Sequence, residues 1–556
     1  MVKRVFNLVY KEVKGLHQAA YVLALFAFGS QLLALLRDRL LAHQFGAGSE
    51  LDIYYTAFRI PDLIFVIFAS TLSVYVLIPF ISKARIVSEE AGGQVLTQVF
   101  SVFLIFYVLL SGLAIVFAPT ISLWLFPELT DQTGLVMLMR ILLLQPLLLG
   151  ISSLFGVVTQ LGHRFVLYAL SPLVYNLGII VGIIVLEPLF GIAGLAYGVV
   201  LGAFGHMLIQ WPLVNKSPLR FEFSFKIKWR EIGKILQVSV PRAFTLSLNQ
   251  LILLLFVSIA STFVAGSVSV FQFAYNLQSV PLAIIGVSYS VAAFPILADL
   301  FTDKKFDLFN FHITTALRHI IFWSLPVIAL LVVLRAQVVR VILGSGAFDW
   351  SDTRLTAAVL AMLSVSLVFQ AINLLAIRSF YAAGNTRVPL ISAVLSAGFT
   401  VGAVFLLLDL FKNSESFRTL LTNLMRVESL MGNEVLILGI AYSIGVCVQM
   451  LLLLFFLQRT FLLPLAWLPR HLFRSLAASV LGGAMAYLIL NFLVVAINSE
   501  TLVGIFVQGL LAGIGGIGTV VFTYFVLRSP ELAEVFSAFQ KRLFKVEVVA
   551  SEEDII

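Results

Sequence analysis

Stretches of about twenty predominantly apolar residues recur along the whole chain. No other feature restricts its fold as strongly, because about 20 residues of helix span the hydrocarbon core of a bilayer. Fourteen such stretches can be marked, at roughly 17–37, 51–82, 96–120, 134–160, 165–186, 189–213, 235–263, 268–298, 313–334, 354–382, 388–410, 435–458, 471–496 and 502–527. Each must be helical, since unpaired backbone groups cannot face lipid. Composition excludes the soluble alternative. The chain is 60% hydrophobic and only 12% charged, whereas soluble domains carry about 25% charged residues. The expected fold is therefore an all-α polytopic membrane protein.

The basic residues fall in short loops rather than on a soluble domain, so the net charge of +8 points to an anionic leaflet and not to nucleic acid. Lys3, Arg4, Lys11 and Lys14, then Lys83 and Arg85, then Arg164, and then the run from Lys216 to Lys234 mark alternate loops. Later loops of that side carry Lys304, Lys305, Arg387, Arg459 and Arg470, while "FPELTDQTG" between them has no basic residue. Arg335, Arg340 and Arg354, and Lys412, Arg418 and Arg426, run against this count without reversing it. Both termini are then expected in the cytoplasm, with the chain in a bacterial cytoplasmic (inner) membrane. The apolar run after "MVKRVFNLVYKEVKGL" is too long for a cleaved signal, so residues 1–16 are expected to form an interfacial segment leading into an uncleaved span. The one cysteine, Cys447, rules out an internal disulfide or a cysteine metal cluster.

The chain also repeats itself. Pro79 in "SVYVLIPFISKA" matches Pro295 in "SVAAFPILADLF", 216 residues on; Gly162 matches Gly384, 222 residues on; Gly194 matches Gly439, 245 residues on. The last increase reflects the polar insertion at 411–434. A six-span repeat keeps its orientation, so the two copies are expected to be related by an axis along the membrane normal, as in transporters. The organisation this predicts is an N-lobe (17–213), a cytoplasmic linker (214–234), a C-lobe (235–458), two further helices (471–527) and a cytoplasmic tail (528–556). A central cavity between the six-helix lobes would hold the site.

"GIGGIG" at Gly513–Gly518 has the spacing of a dinucleotide-binding loop, but a βαβ unit cannot exist within an apolar span. There, as at Gly194, Gly198 and Gly202, glycine serves close helix packing. More telling is "LLRDRLL", which places Arg37, Asp38 and Arg39 at the end of the first span. The plainer reading ends the span at the outer interface with the side chains snorkelling. The functional reading turns Arg37 inward to line the mouth of the cavity with Asp38, Asp52 and Arg59, since a guanidinium grips phosphate oxygens and keeps its charge at any working pH. Further candidates are Arg140, Arg242, Arg378 and the polar run Asn276–Gln278. No HExxH, P-loop or Cys/His cluster is present, so no catalytic group, metal or cofactor is expected and the chain is not read as an enzyme.

The stretches "LLRDRLLAHQFGAGSELDIYYTAFRIPDLIF", "GHRFVLYALSPLVYNLGII", "GSGAFDWSDTRLTAAVLA" and "SFYAAGNTRVP" together closely resemble the MurJ/MviN family of lipid II flippases, within the multidrug/oligosaccharidyl-lipid/polysaccharide exporter superfamily. The resemblance runs from about Ser30 to Gln458. It implies fourteen helices in two lobes around a cationic cavity, and export of undecaprenyl-pyrophosphate-linked peptidoglycan precursor by alternating access. It also implies a role in cell-wall biogenesis and cell shape. Arg37, Asp38 and Asp52 match the family's arginine–aspartate pair and the aspartate opening its second helix. Ser30–Gln31 stands where the family has serine–arginine, Phe65 or Val66 where it has an arginine, and Tyr275–Asn276 where it has aspartate–arginine. Three of the family's cavity cations are thus absent.

The expected substrate-binding set is Arg37, Asp38, Asp52, Arg59, Arg242 and Asn276, with the polyprenyl tail along a groove lined by the C-terminal helices. With no nucleotide-binding motif, the drive would be the membrane potential or an ion gradient. Besides that lipid and the surrounding membrane lipids, cell-wall synthesis enzymes are candidate partners. The alternatives are export of another polyprenyl-linked saccharide or of cationic drugs on the same scaffold, or a non-transporting scaffold for cell-wall enzymes.

Overall fold

The computed structural model describes residues 16–543 apart from positions 73, 163, 220 and 498–500. The expected interfacial segment and the last part of the tail lie outside the described residues. Every described element is a helix. The principal ones are α1 (Leu16–Phe45), α2 (Ser49–Ala57), α3 (Arg59–Thr71), α4 (Val74–Arg85), α5 (Glu89–Leu125), α6 (Gln132–Leu142), α7 (Leu144–Leu161), α8 (Phe165–Val181) and α9 (Ile192–Leu208). They continue with α10 (Trp229–Ala260), α11 (Ser267–Leu282), α12 (Ser288–Thr302), α13 (Phe306–Val333), α14 (Trp350–Ser364), α15 (Ser366–Ala382) and α16 (Arg387–Asn413). The last are α17 (Leu436–Phe461), α18 (Leu468–Ala496), α19 (Leu502–Val526) and α20 (Pro530–Leu543).

Among the described residues, eleven helical stretches are long and apolar enough to cross a membrane, or twelve if α14 and α15, bent 43° to each other, form one span. The other two of the fourteen expected spans fall on α1 and on α2–α4, outside that twelve. The stretch expected as one span at 51–82 is broken into three helices. The first break, at Phe58, has a plain cause in Pro61, which cannot donate to the carbonyl of Ala57 and whose ring crowds it. Hydroxylic and acidic side chains start several helices by taking an otherwise orphaned backbone N–H. Ser88 Oγ accepts from Ala91 N at 3.0 Å, Asp131 Oδ1 from Gly134 N at 2.8 Å and Thr501 Oγ1 from Gly504 N at 3.0 Å. The paired repeat positions take matching places: Pro79 and Pro295 lie inside α4 and α12, and Gly194 and Gly439 inside α9 and α17.

The chain divides into two compact units. One comprises Met1–Val280, Ile342–Leu363 and Asn385–Gln449; the other comprises Pro281–Val341, Ser364–Gly384 and Met450–Ile556. In the first unit, α3 packs on α10, and α8 on α9. Glycine makes the α8–α9 contact, at Gly178 within α8, where a Cβ would lie 2.2 Å from the Cα of Gly202, and at Gly182 just past its end. A Cβ on Gly182 would lie 2.6 Å from the Cα of Gly198, and one on Gly198 would lie 2.9 Å from the nitrogen of Gly182, so the two backbones touch as small-residue packing allows. The core of this unit gathers Leu77, Leu96, Phe103, Leu154 and Val157.

In the second unit α18 and α19 pack together and α13 lies against α18. Here "GIGGIG" serves packing at Gly515 and Gly516 but not at Gly518, which borders open space: a Cβ on Gly516 would meet the Gly482 carbonyl at 3.0 Å and Leu330 Cδ2 at 2.6 Å. The start of the tail folds as α20. Glu531, 1% exposed, ion-pairs with Arg318 at 2.7 Å and lies 3.0 Å from His471 Nδ1, and Glu534 meets His319 at 2.8 Å. Its Leu532 joins Phe322, Ala478, Val520 and Tyr524 in a buried cluster.

Candidate functional site

The three charged residues that end α1 go separate ways. On a helix, neighbours differ by about 100°, so Arg37 and Arg39 cannot share a face. Arg39 Nη1 donates to the Ile342 carbonyl at 3.1 Å. Arg37 turns to the other side and donates through Nε (3.0 Å) and Nη2 (2.8 Å) to Oδ1 of Asp38. Its Nη1 reaches Asn176 Oδ1 at 3.4 Å, and Asn176 Nδ2 donates in turn to Ser30 Oγ at 3.1 Å. Asp38 is 3% exposed, so its charge depends on these partners, as a buried carboxylate must.

The second oxygen of Asp38 leads to the second repeat. Asn276 Nδ2 donates to Asp38 Oδ2 at 2.9 Å, Gln272 Nε2 donates to Asn276 Oδ1 at 2.7 Å, and Arg59 Nη2 donates to Gln272 Oε1. Gln272 and Asn276 are four apart on α11, hence stacked on one face. Arg59, Gln272, Asn276, Asp38 and Arg37 therefore form one hydrogen-bonded chain, with a guanidinium at each end. Each amide is oriented by its neighbours, accepting from one side and donating to the other.

Both arginines face a cavity of about 240 Å³, whose other polar lining includes Asp62, Gln145, Gln272 and Asn276. Tyr54, Tyr55 and Tyr175 complete its wall beside Leu41, Phe58 and Ile179. Three buried polar atoms on this wall have no hydrogen-bond partner among the described residues: Arg59 Nε, Tyr55 Oη and Gln145 Oε1. Leaving a buried polar atom unpaired costs about 1–3 kcal/mol, more when it is charged. Two of the three are donors, and Arg59 is 7% exposed. This arrangement suits an anion with several oxygens.

Of the six residues singled out in the sequence, Arg37, Arg59 and Asn276 line the cavity and Asp38 sits directly behind it. Asp52 does something else. Its carboxylate, 3% exposed, accepts from Gly266 N at 2.6 Å, Ser269 N at 2.8 Å and Ser269 Oγ at 2.5 Å. It caps the N-terminus of α11 from a distance in sequence, with the helix dipole adding to the attraction. Arg242 is half-buried on α10 and is not among the side chains lining the cavity. Arg140 is exposed and its Nε donates to the Ile115 carbonyl at 3.2 Å. Gln272 and the three tyrosines were not singled out in the sequence. Only the four-residue spacing from Gln272 to Asn276 could have pointed to the first.

Fold and site together define a polytopic helical transporter of the kind built around a polar cavity. The fold matches a solved structure of lipid II flippase MurJ in an inward closed conformation with a TM-score of 0.72, at 21% identity over 93% of this chain and 100% of that one. It also matches an inward-facing multidrug resistance MATE family transporter of the MOP superfamily with a TM-score of 0.61, at 18% identity over 78% of this chain and 94% of that one. In sequence, residues 41–415 match the family model described as lipid II flippase MurJ. The lipid II flippase MurJ of Burkholderia cenocepacia is 24% identical, with 86% of this chain and 91% of that protein aligned. The probable lipid II flippase MurJ of Thermotoga maritima is 27% identical over 68% and 78%. The chain belongs to the MurJ family.

Proposed function

We propose that this chain is a flippase that carries the lipid-linked peptidoglycan precursor, lipid II, from the inner to the outer face of the cytoplasmic membrane by alternating access. The observation that carries the reading is the cavity itself. Arg37 and Arg59 stand at opposite ends of one hydrogen-bonded chain, with the unpaired donors Arg59 Nε and Tyr55 Oη beside them. Sites for drug-sized ligands run to roughly 300–1,000 Å³. A cavity of about 240 Å³ suits the pyrophosphate better than the whole headgroup.

In this reading the two sequence repeats are the moving lobes, and Asp38 and Asn276, one from each, are hydrogen-bonded where they meet. Both termini lie in the cytoplasm of a bacterial inner-membrane protein, as the distribution of Lys and Arg supports. No bond is made or broken, so the protein is a transporter rather than a catalyst. Enzymes that supply the lipid on one face and consume it on the other are the partners this role would bring near.

A second reading keeps the site and changes the cargo to another polyprenyl-linked saccharide. The amide of Asn276, where the family has an arginine, favours it. Affinity separates them. Purified protein should bind lipid II, and Arg59→Ala should weaken binding at least tenfold, the worth of one charge-assisted contact of about 1.5–3 kcal/mol. Tight binding of a different polyprenyl saccharide with none of lipid II would select the second reading.

A further inference from the structure

The charged side chains at the polar cavity cancel. Arg37 and Arg59 supply two positive charges, and Asp62 on the wall and Asp38 behind it supply two negative ones. The three tyrosines are neutral near neutral pH, and no lysine, histidine or glutamate is among the lining residues. One pair is matched by contact, since Arg37 donates to Asp38 at 2.8 Å. The other is not. Arg59 sends Nη2 to the amide of Gln272, and its Nε has no partner among the described residues. Asp62 stands three residues further along α3, hence on the same face of the helix. Among the described residues no group donates a hydrogen bond to its carboxylate, and Arg59 is the positive charge that acts on it. A carboxylate in the first turn of a helix is ordinary. As a cap, however, it would take a backbone N–H, as Asp131 does from Gly134 at 2.8 Å.

A cavity that only bound an anion would have no use for such a carboxylate, because its charge repels the cargo. Its use comes when the cargo leaves. A buried guanidinium without a counter-charge is strongly destabilising, so a carrier that empties needs a substitute for its anion. We infer that Asp62 is this substitute: a resident counter-ion that balances Arg59 in the empty cavity and, by repelling the bound pyrophosphate, holds affinity low enough for release. The inference rests on the proposed function and adds to it a residue whose task is to weaken binding and speed turnover. Binding cargo more tightly lowers the concentration needed to load the carrier without speeding its cycle, and here it would slow the step that frees the cargo.

The test compares the full-length wild type with Asp62→Asn and Asp62→Ser at about pH 8, where a carboxylate is ionised. It uses lipid II titrations in detergent and translocation of fluorescent lipid II in proteoliposomes. Either neutral variant should bind lipid II about tenfold tighter or more, and should translocate it about fivefold more slowly at saturation, with a lower half-saturating concentration. Asp62→Ser decides between the outcomes if Asp62→Asn fails to fold. Asp62→Glu keeps the charge and should stay within about threefold of wild type in both assays. Adding Asp62→Asn to Arg59→Ala restores the balance of charge, and the double variant should bind about tenfold tighter than Arg59→Ala alone. Unchanged or weaker binding in the neutral variants, or no gain in the double variant, would overturn the inference while leaving the proposed function intact. Tighter binding with unchanged turnover would overturn it as well, because release would then not depend on Asp62. If wild type binds no lipid II, the proposed function and this inference fall together.

Discussion

Asp52 offers a test of whether the observed geometry assigns roles correctly. Its buried carboxylate takes three hydrogen bonds from the start of α11, at 2.6, 2.8 and 2.5 Å, and none of the cavity lining is its own. Hydrogen bonds to a charged acceptor contribute about 1.5–3 kcal/mol each, against about 1 kcal/mol for neutral ones. Asp52→Asn keeps the shape and removes the charge, and its NH2 must face at least one N–H donor. The expected loss is about 2–4 kcal/mol. Asp52→Ala leaves three buried donors unpaired and should cost about 4 kcal/mol or more. Thermal unfolding of the detergent-solubilised protein should therefore rank wild type above Asp52→Asn above Asp52→Ala, while folded Asp52→Asn still binds lipid II with unchanged affinity. A variant that melts like wild type but no longer binds lipid would refute the capping role and move Asp52 into the binding site.

Asn276→Leu breaks the chain between the arginines, leaving Asp38 Oδ2 and Gln272 Nε2 without their observed partner; a loss of about 2–4 kcal/mol and weaker lipid binding are expected in melting and titration assays. Gly198→Val drives a side chain into the Gly182 backbone and should cost about 1–3 kcal/mol or more, read as lower yield and melting temperature. Glu531 lies outside the spans, in α20. Burial pushes its carboxyl up, but hydrogen bonds from Ser529 and Arg318 and the charge of His471 outweigh this and hold it below the ordinary glutamate range. A depressed carboxyl stabilises the docked helix above that range and ceases to do so as pH falls through its lowered value. Hydrogen exchange in α20 should stay slow near neutrality and accelerate only in acid, and acceleration already between about pH 7 and 6 would contradict this origin.

The class of fold was plain from the apolar stretches because hydrocarbon admits only helices and closed barrels, and continuous runs of about 20 apolar residues fit the helix. Close packing at Gly194, Gly198 and Gly202 could be read from their spacing, but their partners Gly178 and Gly182 could not, since nothing local says which helix lies opposite. The same limit governs the site. The cost of charge inside a membrane draws attention to Arg37, Asp38 and Asp52. Whether a carboxylate orients an arginine or caps a helix depends on what folds against it. For Asp52 that is Gly266 and Ser269, more than two hundred residues away. Tyr54, Tyr55 and Tyr175 carry no such warning in the sequence, because an uncharged aromatic residue in a span is ordinary.

The most direct test of the central claim is translocation of fluorescent lipid II in proteoliposomes, comparing wild type with Arg37→Ala and with Arg39→Ala. The first variant removes the cavity guanidinium held by Asp38, and the second removes its neighbour bound to the Ile342 carbonyl. Translocation by wild type and Arg39→Ala, with at least tenfold slower movement in Arg37→Ala, is the predicted result. Equal rates in all three, or no translocation by wild type, would contradict it.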